Sequence, residues 1–467
     1  MSHHGLGTPP SILPQVAILA SVAGPSKLRF LRDRLRRINP FELSGTITGV
    51  SALRVDVAGL SGQLAIGDRV EIPASPPLLA EVVRAEGALL HLAPFGPTAG
   101  LKPGMMARAA PNTTLCPDDA WLGRVLDPLA APIDGLGPVP QGPIAQDLRR
   151  PPPLSTLRAR LGKRLDLGVR AIDAFATCRT GQRLGLFAAS GIGKSTLLAM
   201  LARNAGCDVT VIALIGERGR EVREFLEDDL GDAGRRETIT VVATSDAAPM
   251  LRREAAYTAL TIAEHFRDQG KSVLLLMDSI TRFCAALREI GLAAGEPPAT
   301  RGYPPSVFAE LPRVLERAGP GPMLANGGAG HITALFTVLV DGDDHDEPIA
   351  DAVRGILDGH IVLDRAIAEA GRYPAIDVLR SLSRAAASCL SRDELLLVRR
   401  ARAILSLYSE MRDMVRLGAW KPGADPAVDE AVRLAPRIEA MLMQGREESG
   451  TIAQSFAALT RAMELVG

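Results

Sequence analysis

The sequence predicts an α/β protein in three parts: an N-terminal antiparallel β-barrel, a mostly parallel α/β core and a C-terminal helical domain. Three observations predict it. Short β-rich runs punctuated by glycines fill residues 43–110. Apolar strand-like runs then alternate with helical stretches. After about Ala385 the strand-like runs stop and helix signals take over. A length of 467 residues, at about 150 per domain, agrees with three units.

Taken in order, residues 1–26 are rich in Gly, Pro and Ser and read as a flexible lead. Lys27–Ile38 carries Lys27, Arg29, Arg32, Arg34, Arg36 and Arg37 against one acid, Asp33. Leu28, Leu31, Leu35 and Ile38 fall on one helical face, so this is a short basic amphipathic helix ended by Pro40. Such a helix either packs on its own domain or meets acidic lipid headgroups or a partner helix. The barrel strands are expected at Thr46–Val50, Leu53–Val57, Arg69–Ile72, Ala80–Val83 and Leu89–Leu92. The proline-rich segment 136–153 marks a connector. Core strands are expected at Arg183–Phe187, Val209–Ile215, Ile239–Ala243, Val273–Met277 and Ile332–Val340. At the helical end, Ser391 and Glu394 form a capping box for a helix stopping at Gly418. Asp425-Pro426 opens a second helix, and Thr451–Val466 reads as a third. The expected units are 1–40, 41–115, 116–385 and 386–467.

Composition excludes several classes. With 53 basic and 53 acidic residues the chain is formally neutral, which argues against a polycation binding nucleic acid through bulk charge. Aromatics at 4% argue against a base-stacking surface. The neutrality is a sum of opposites: residues 1–40 carry +5 and the remainder −5. Five scattered cysteines without a CxxC pair argue against a disulfide framework or a structural zinc and favour a reducing compartment. No run approaches the length of a membrane span, and Met1–Pro14 lacks the basic-then-apolar order of a signal peptide, so a cytoplasmic location is expected.

The chemistry-bearing segment is Gly185–Met200, GLFAASGIGKSTLLAM. An apolar strand runs into a small-residue loop, and Gly-Lys-Ser opens an apolar helix. Such a loop aims backbone N–H groups and a helix N-terminus at a polyphosphate. Ser190, Gly191, Ile192, Gly193, Lys194, Ser195 and Thr196 would cradle a nucleotide, with Lys194 on the β/γ-phosphates and the Ser195 hydroxyl on Mg²⁺. Ala188 stands where a strict phosphate-loop motif has its first glycine. With Ala189 after it, the loop survives if only Gly191 and Gly193 need positive φ. The bland reading is a glycine-rich strand-to-helix turn without a ligand. Val273–Asp278, VLLLMD, ends a buried strand in an acid that a neighbouring phosphate loop would place near Mg²⁺. Val209–Ile215 leads into Gly216-Glu217-Arg218-Gly219-Arg220-Glu221. There Glu217 would polarise an attacking water, Arg218 would stand near the γ-phosphate and Glu221 would support the Mg²⁺ shell. Without a phosphate loop nearby, the same residues read as a solvated, charged strand-to-helix loop.

Beyond these, GERGREVREF (216–225), DSITRF (278–283), GEPPATRGYPPSVF (295–308), EPIADAVRGILDGHIVLDR (347–365) and YPAIDVLRSLSR (373–384) together resemble the flagellar and type III secretion export ATPases. These are relatives of the catalytic subunit of rotary ATP synthases. GRVLDPLAAPIDG (123–135) matches that superfamily too, and the resemblance covers roughly residues 40–435. DGDDHDEP and GRYPAID stand closer to flagellar members, particularly alpha-proteobacterial ones, than to virulence injectisomes. The resemblance implies a RecA-like P-loop core and a Mg²⁺-dependent ATPase using ATP. It implies Lys194 and Ser195 as phosphate-loop lysine and Mg²⁺ ligand, Glu217 as catalytic glutamate and Asp278 as the Walker B acid. Tyr373 would stack on adenine, and Arg384 would be an arginine finger presented to the neighbouring subunit's nucleotide. Ala189 departs from the glycine expected in this family's loop.

The resemblance further implies a homohexamer, peripheral at the inner face of the cytoplasmic membrane beside an export gate. Implied partners are a regulatory stator-like protein on the N-terminal segment, a coiled-coil stalk protein in the ring's centre, and substrate–chaperone complexes at the helical end. No nucleic-acid partner is expected: a hexameric RNA translocase would want a basic, aromatic barrel, and residues 43–110 hold Phe95 as their one aromatic. A virulence injectisome ATPase would share most of these motifs. A non-catalytic nucleotide-binding subunit of a rotary ATPase would share the phosphate loop, but Glu217 argues against it. The acidic run Asp341–Glu347 resembles a calcium loop in composition, but Asp346 and Ala352 stand where the EF-hand needs glycine and glutamate. His3 and His4 are too few and too isolated for a metal site.

Overall fold

The structure is a computed structural model that describes residues 42–111, 114–325, 327–340 and 347–464. The expected lead and basic helix within residues 1–40, and the acidic stretch 341–346, lie outside the described residues. Six antiparallel strands close a barrel: β1 (Ser44–Val50), β2 (Val55–Ala58), β3 (Arg69–Ile72), β4 (Leu78–Glu86), β5 (Leu89–Pro94) and β6 (Met106–Ala109), in spatial order β1-β2-β5-β4-β3-β6. Alternation places Ile47, Val55, Val57, Val70, Ile72, Val82, Leu90 and Leu92 in its interior. The sixth strand was not expected. Only Ala107 of MARA is buried, so no apolar alternation marks it. It forms because β1 and β3 both offer it hydrogen bonds, and that pairing removes the barrel's edges.

The core sheet uses β7 (Arg183–Ala188), β8 (Val209–Glu217), β9 (Thr238–Thr244), β10 (Ser272–Asp278), β11 (His331–Leu339), β12 (Gly359–Leu363) and β13 (Ile376–Ser383). Their order is β13-β12-β7-β11-β10-β8-β9, with Val125–Leu126 added beside β9. All neighbours in that row are parallel except β13, which runs antiparallel on the edge. The five expected core strands lie within the centre of the sheet. Each is apolar on both faces, as a sheet covered on both sides requires. Thus Ile212, Leu214, Leu274 and Leu276 pack on one face, and Val211, Ala213, Leu275 and Met277 on the other.

Five helices matter for the core: α1 (Lys194–Asn204), α2 (Gly219–Glu224), α3 (Pro249–Asp268), α4 (Ile280–Ala293) and α5 (Pro305–Arg317). The helical end follows as α6 (Arg392–Arg416), α7 (Pro426–Leu442) and α8 (Ile452–Met463). Ser391 and Glu394 do form a capping box, and Thr451 and Gln454 form a second. Asp425 caps α7 by accepting from the Ala427 N–H. Ala401, Leu405, Leu434, Ile438 and Leu459 join these helices to the same apolar cluster as α1, so the helical end is continuous with the core.

The barrel is fastened to the core by charge. Helix α3 is buried on nearly every side, yet it carries Arg253, Glu254, Glu264 and Arg267. Arg253 meets Glu81 of β4 at 2.6 Å, and Arg69 of β3 meets Glu254. Arg149 of the proline-rich connector reaches Glu81 at 3.0 Å, while Arg317 of α5 pairs with Glu264 at 2.8 Å. Buried charges are tolerated here because each finds an opposite partner. None of the helices among the described residues is long and apolar enough to cross a membrane.

Candidate nucleotide-binding site

At the carboxyl end of β7 the chain turns through Ala189–Gly193 into α1. Gly191 and Gly193 take φ of 78° and 87°, and the non-glycine residues with positive φ are Ala130 and Arg301 among those described. Ala188 and Ala189 therefore sit in ordinary backbone, and the two departures from the glycine pattern carry no strain. Gly193 is the N-cap residue of α1 and supplies no side-chain cap, and the first turn holds no acid. The first-turn N–H groups and the helix dipole thus remain available to an anion. Ser190 and Ser195 are exposed, Thr196 is half-buried, and Ile192 is buried beneath the loop as an apolar anchor.

Lys194 points across the sheet. Its Nζ stands 3.3 Å from Glu217 Oε1 and 2.5 Å from Asp278 Oδ2, with its side chain only 11% exposed. The two acids converge because β8 and β10 are adjacent and parallel, with Leu214 opposite Asp278. Asp278 is buried, and the Thr337 hydroxyl from β11 donates to its Oδ1 at 2.6 Å, fixing the carboxylate plane. Glu217 reaches the cluster through an irregularity in β8 at Gly216, whose φ is 73°. A Cβ on Gly216 would stand 2.6 Å from Arg282 Cδ, so only glycine fits. Arg282 donates to the Gly216 carbonyl and lies 3.7 Å from Glu217 Oε1. Ser279 caps α4 by accepting from the Arg282 N–H at 3.2 Å.

Two expected members stand apart. Arg218 and Glu221 pair with each other at 3.2 Å at the start of α2, and Arg218 is 76% exposed. The structure does not gather them with Lys194, Glu217 and Asp278. The helix begins directly after Arg218, and its first turn faces both side chains outward. Tyr373 does lie against the loop: its ring carbons come within 3.5 Å of where a Cβ on Gly193 would be, and it remains 48% exposed. Arg365 also reaches the loop, donating to the Ser190 carbonyl at 3.4 Å. Arg384 is elsewhere. Its N–H bonds the Asp358 carbonyl at 2.9 Å, and the Asp358 side chain accepts from the Arg183 N–H at the start of β7. It is exposed and, by strand rise, about 16 Å of β7 separates that end from the loop.

Sequence reasoning missed Thr337, Arg365 and Arg282 as partners of the site. Arg282 follows Asp278 by one helical turn inside DSITRF and was findable. Thr337 carries no local signal, because only sheet order brings β11 beside β10.

The donor set is hard and oxygen-rich, with the Asp278 carboxylate and the Ser195 hydroxyl flanking a lysine and a bare helix N-terminus. That chemistry suits Mg²⁺ with a polyphosphate.

Comparison with known proteins identifies the domain that carries this site and the one that follows it. Residues 168–383 match the ATP synthase alpha/beta family nucleotide-binding domain, and residues 390–461 match the T3SS EscN ATPase C-terminal domain. The chain is 54% identical over 441 residues to the flagellum-specific ATP synthase of Caulobacter vibrioides, covering 94% of this chain and 99% of that protein. It resembles the assembled ATPase EscN of the enteropathogenic E. coli type III secretion system, with a TM-score of 0.83, 38% identity, and coverage of 90% of this chain and all of that one. A further structure, EscN in complex with its central stalk EscO, matches with a TM-score of 0.82 at 39% identity, again over 90% of this chain and all of that one.

Proposed function

The chain belongs to the flagellar and type III secretion export ATPase family, a branch of the ATP synthase alpha/beta family, and from that premise we propose how its residues hydrolyse Mg·ATP and what the hydrolysis serves. The observation that carries the proposal is the convergence of Lys194, Glu217 and Asp278 at the mouth of the phosphate loop. The loop amides and Lys194 hold the β- and γ-phosphates. With a nucleotide bound, the Lys194 ammonium trades its carboxylate partners for phosphate oxygens. Asp278, held by Thr337, and Ser195 are the residues that would hold Mg²⁺, which supplies charge neutralisation between the phosphates. Glu217 accepts a hydrogen bond from the attacking water and orients it toward the γ-phosphorus, and Arg282, 3.7 Å from Glu217 Oε1, holds that carboxylate in its aim. Tyr373 offers its exposed face to the base, and Arg384 serves the nucleotide of the next subunit.

The work done is export. Hydrolysis at the interfaces of a homohexameric ring releases chaperones and delivers flagellar export substrates at the cytoplasmic face of the membrane. A central stalk protein occupies the ring; EscN has been solved as an assembly in complex with its central stalk EscO. A regulatory stator-like protein binds the N-terminal segment. Glu217→Gln tests the chemical core: nucleotide binding should stay within about twofold while hydrolysis falls by about 10²-fold or more. Binding and single-turnover hydrolysis, measured on the same protein, separate the two. A variant that hydrolyses ATP at the parent rate removes Glu217 from the mechanism.

A further inference from the structure

The turn that carries Tyr373 is held from two sides by the helical end. Arg372, nearly buried, spans the turn: its Nη2 donates to the Ile376 carbonyl at 2.9 Å and its Nε meets Glu439 of α7 at 2.6 Å. On the other side the Gln444 N–H, two residues past the end of α7, donates to the Tyr373 carbonyl at 2.9 Å. Gln444 is itself buried and tethered. Its Oε1 accepts from the Arg170 N–H at 2.9 Å, and its Nε2 donates to the carbonyls of Gly168 and Glu448 at 2.8 and 2.9 Å. Both attachments therefore run from the residues flanking and including Tyr373 to α7 and the segment directly after it.

We propose that Arg372, Glu439 and Gln444 are positioning residues that set the Tyr373 ring against the phosphate loop, so that any displacement of α7 is read as a change in base affinity. The proposal rests on Tyr373 being the base platform. The ring lies beside the loop, 3.5 Å from where a Cβ on Gly193 would stand, and its other face is open. Its distance from the bound base is then decided by its own backbone, which is what the two attachments hold. Glu439 is half-exposed, and Glu439→Gln keeps its shape while removing the charge that faces Arg372; the buried Gln444 side chain fixes the main-chain donor from within.

The test is steady-state hydrolysis and equilibrium nucleotide binding by the full chain carrying Glu439→Gln, Gln444→Ala or Tyr373→Ala, singly and combined. Expected is a rise in KM for ATP, and in the dissociation constant, of about five- to tenfold in each clamp variant, with kcat changed less than about twofold. Discrimination between ATP and GTP should shrink with it. Neither clamp change should add to Tyr373→Ala, because all act through one ring. If Tyr373→Ala raises KM while both clamp variants, folded by circular dichroism, keep the parent KM, the clamp is refuted and the base platform stands. Effects that add fully to Tyr373→Ala refute the coupling. An unchanged KM in Tyr373→Ala itself removes the base platform and the clamp together.

Discussion

Gly216 shows how one residue can decide the geometry of a reaction. Its positive φ bends β8 out of register just before Glu217, and its missing Cβ admits the Arg282 side chain. Gly216→Ala should lower stability by about 1–3 kcal/mol through left-handed strain and the clash with Arg282. It should also lower kcat more than it raises KM, since Glu217 moves while the phosphate loop does not. Thermal unfolding and steady-state kinetics on one preparation check both, and a variant with parent kcat would show that Glu217 does not depend on the bend. This glycine was visible in GERGREVREF as part of a motif, but its reason was not. The reason is Arg282, sixty-six residues away, and only folding places it there. Lys194 and Asp278 were legible for the opposite cause: Asp278 ends β10 and Lys194 opens the helix that the loop after β7 leads into, and strand ends in a parallel sheet gather on one side.

Helices and central strands of this chain announce themselves locally, because caps and apolar runs are local signals. The Ser391–Glu394 capping box, the Asp425 cap and the five core strands needed nothing but neighbouring residues. The barrel's sixth strand, the interior strand β12 and the edge strand β13 did not. MARA and IDVLRSLS carry mixed polarity, and their pairing is supplied by strands distant in sequence or turned against the sheet's direction. The short helix Arg170–Phe175 holds a further feature no pattern foretold. Asp173 is buried within it, one carboxylate oxygen bonded to the Leu167 N–H and the other without a partner. Burial pushes its pKa up to about 7. In the unfolded chain it ionises near the ordinary aspartate value, so between there and pH 7 the folded state binds more protons and stability falls as pH rises. Asp173→Asn removes that loss. Its margin over the parent should be larger at pH 8 than at pH 5 by on the order of 2 kcal/mol, read from urea unfolding at both. An equal margin at the two pH values would mean the carboxyl ionises normally in place.

Across the whole molecule, the role proposed for Arg384 requires assembly. Arg384 stands exposed at the entry end of β7, while its own phosphate loop lies at the exit end. A rigid sheet, with the barrel locked to it through Arg253 and Glu81, leaves no motion within one chain that would bring the two together. A head-to-tail ring would, because its heterologous interface sets one subunit's edge against its neighbour's mouth. The consequence is testable by mixing. Arg384→Ala alone should lose turnover by on the order of 10³-fold while still binding ATP, since the lost guanidinium stabilises only the transition state. Lys194→Ala should fail at its own loop yet still present an intact Arg384. In rings assembled from equal amounts of the two, an intact loop faces an intact arginine at roughly one interface in four. Hydrolysis should therefore recover to about a quarter of the parent rate if sites fire independently, and to less if they must fire in turn. The recovered rate then measures how strongly the subunits depend on one another. Complete absence of recovery, in mixed rings shown by mass to contain both chains, would place Arg384 outside the interface and return the charge it supplies to some other residue.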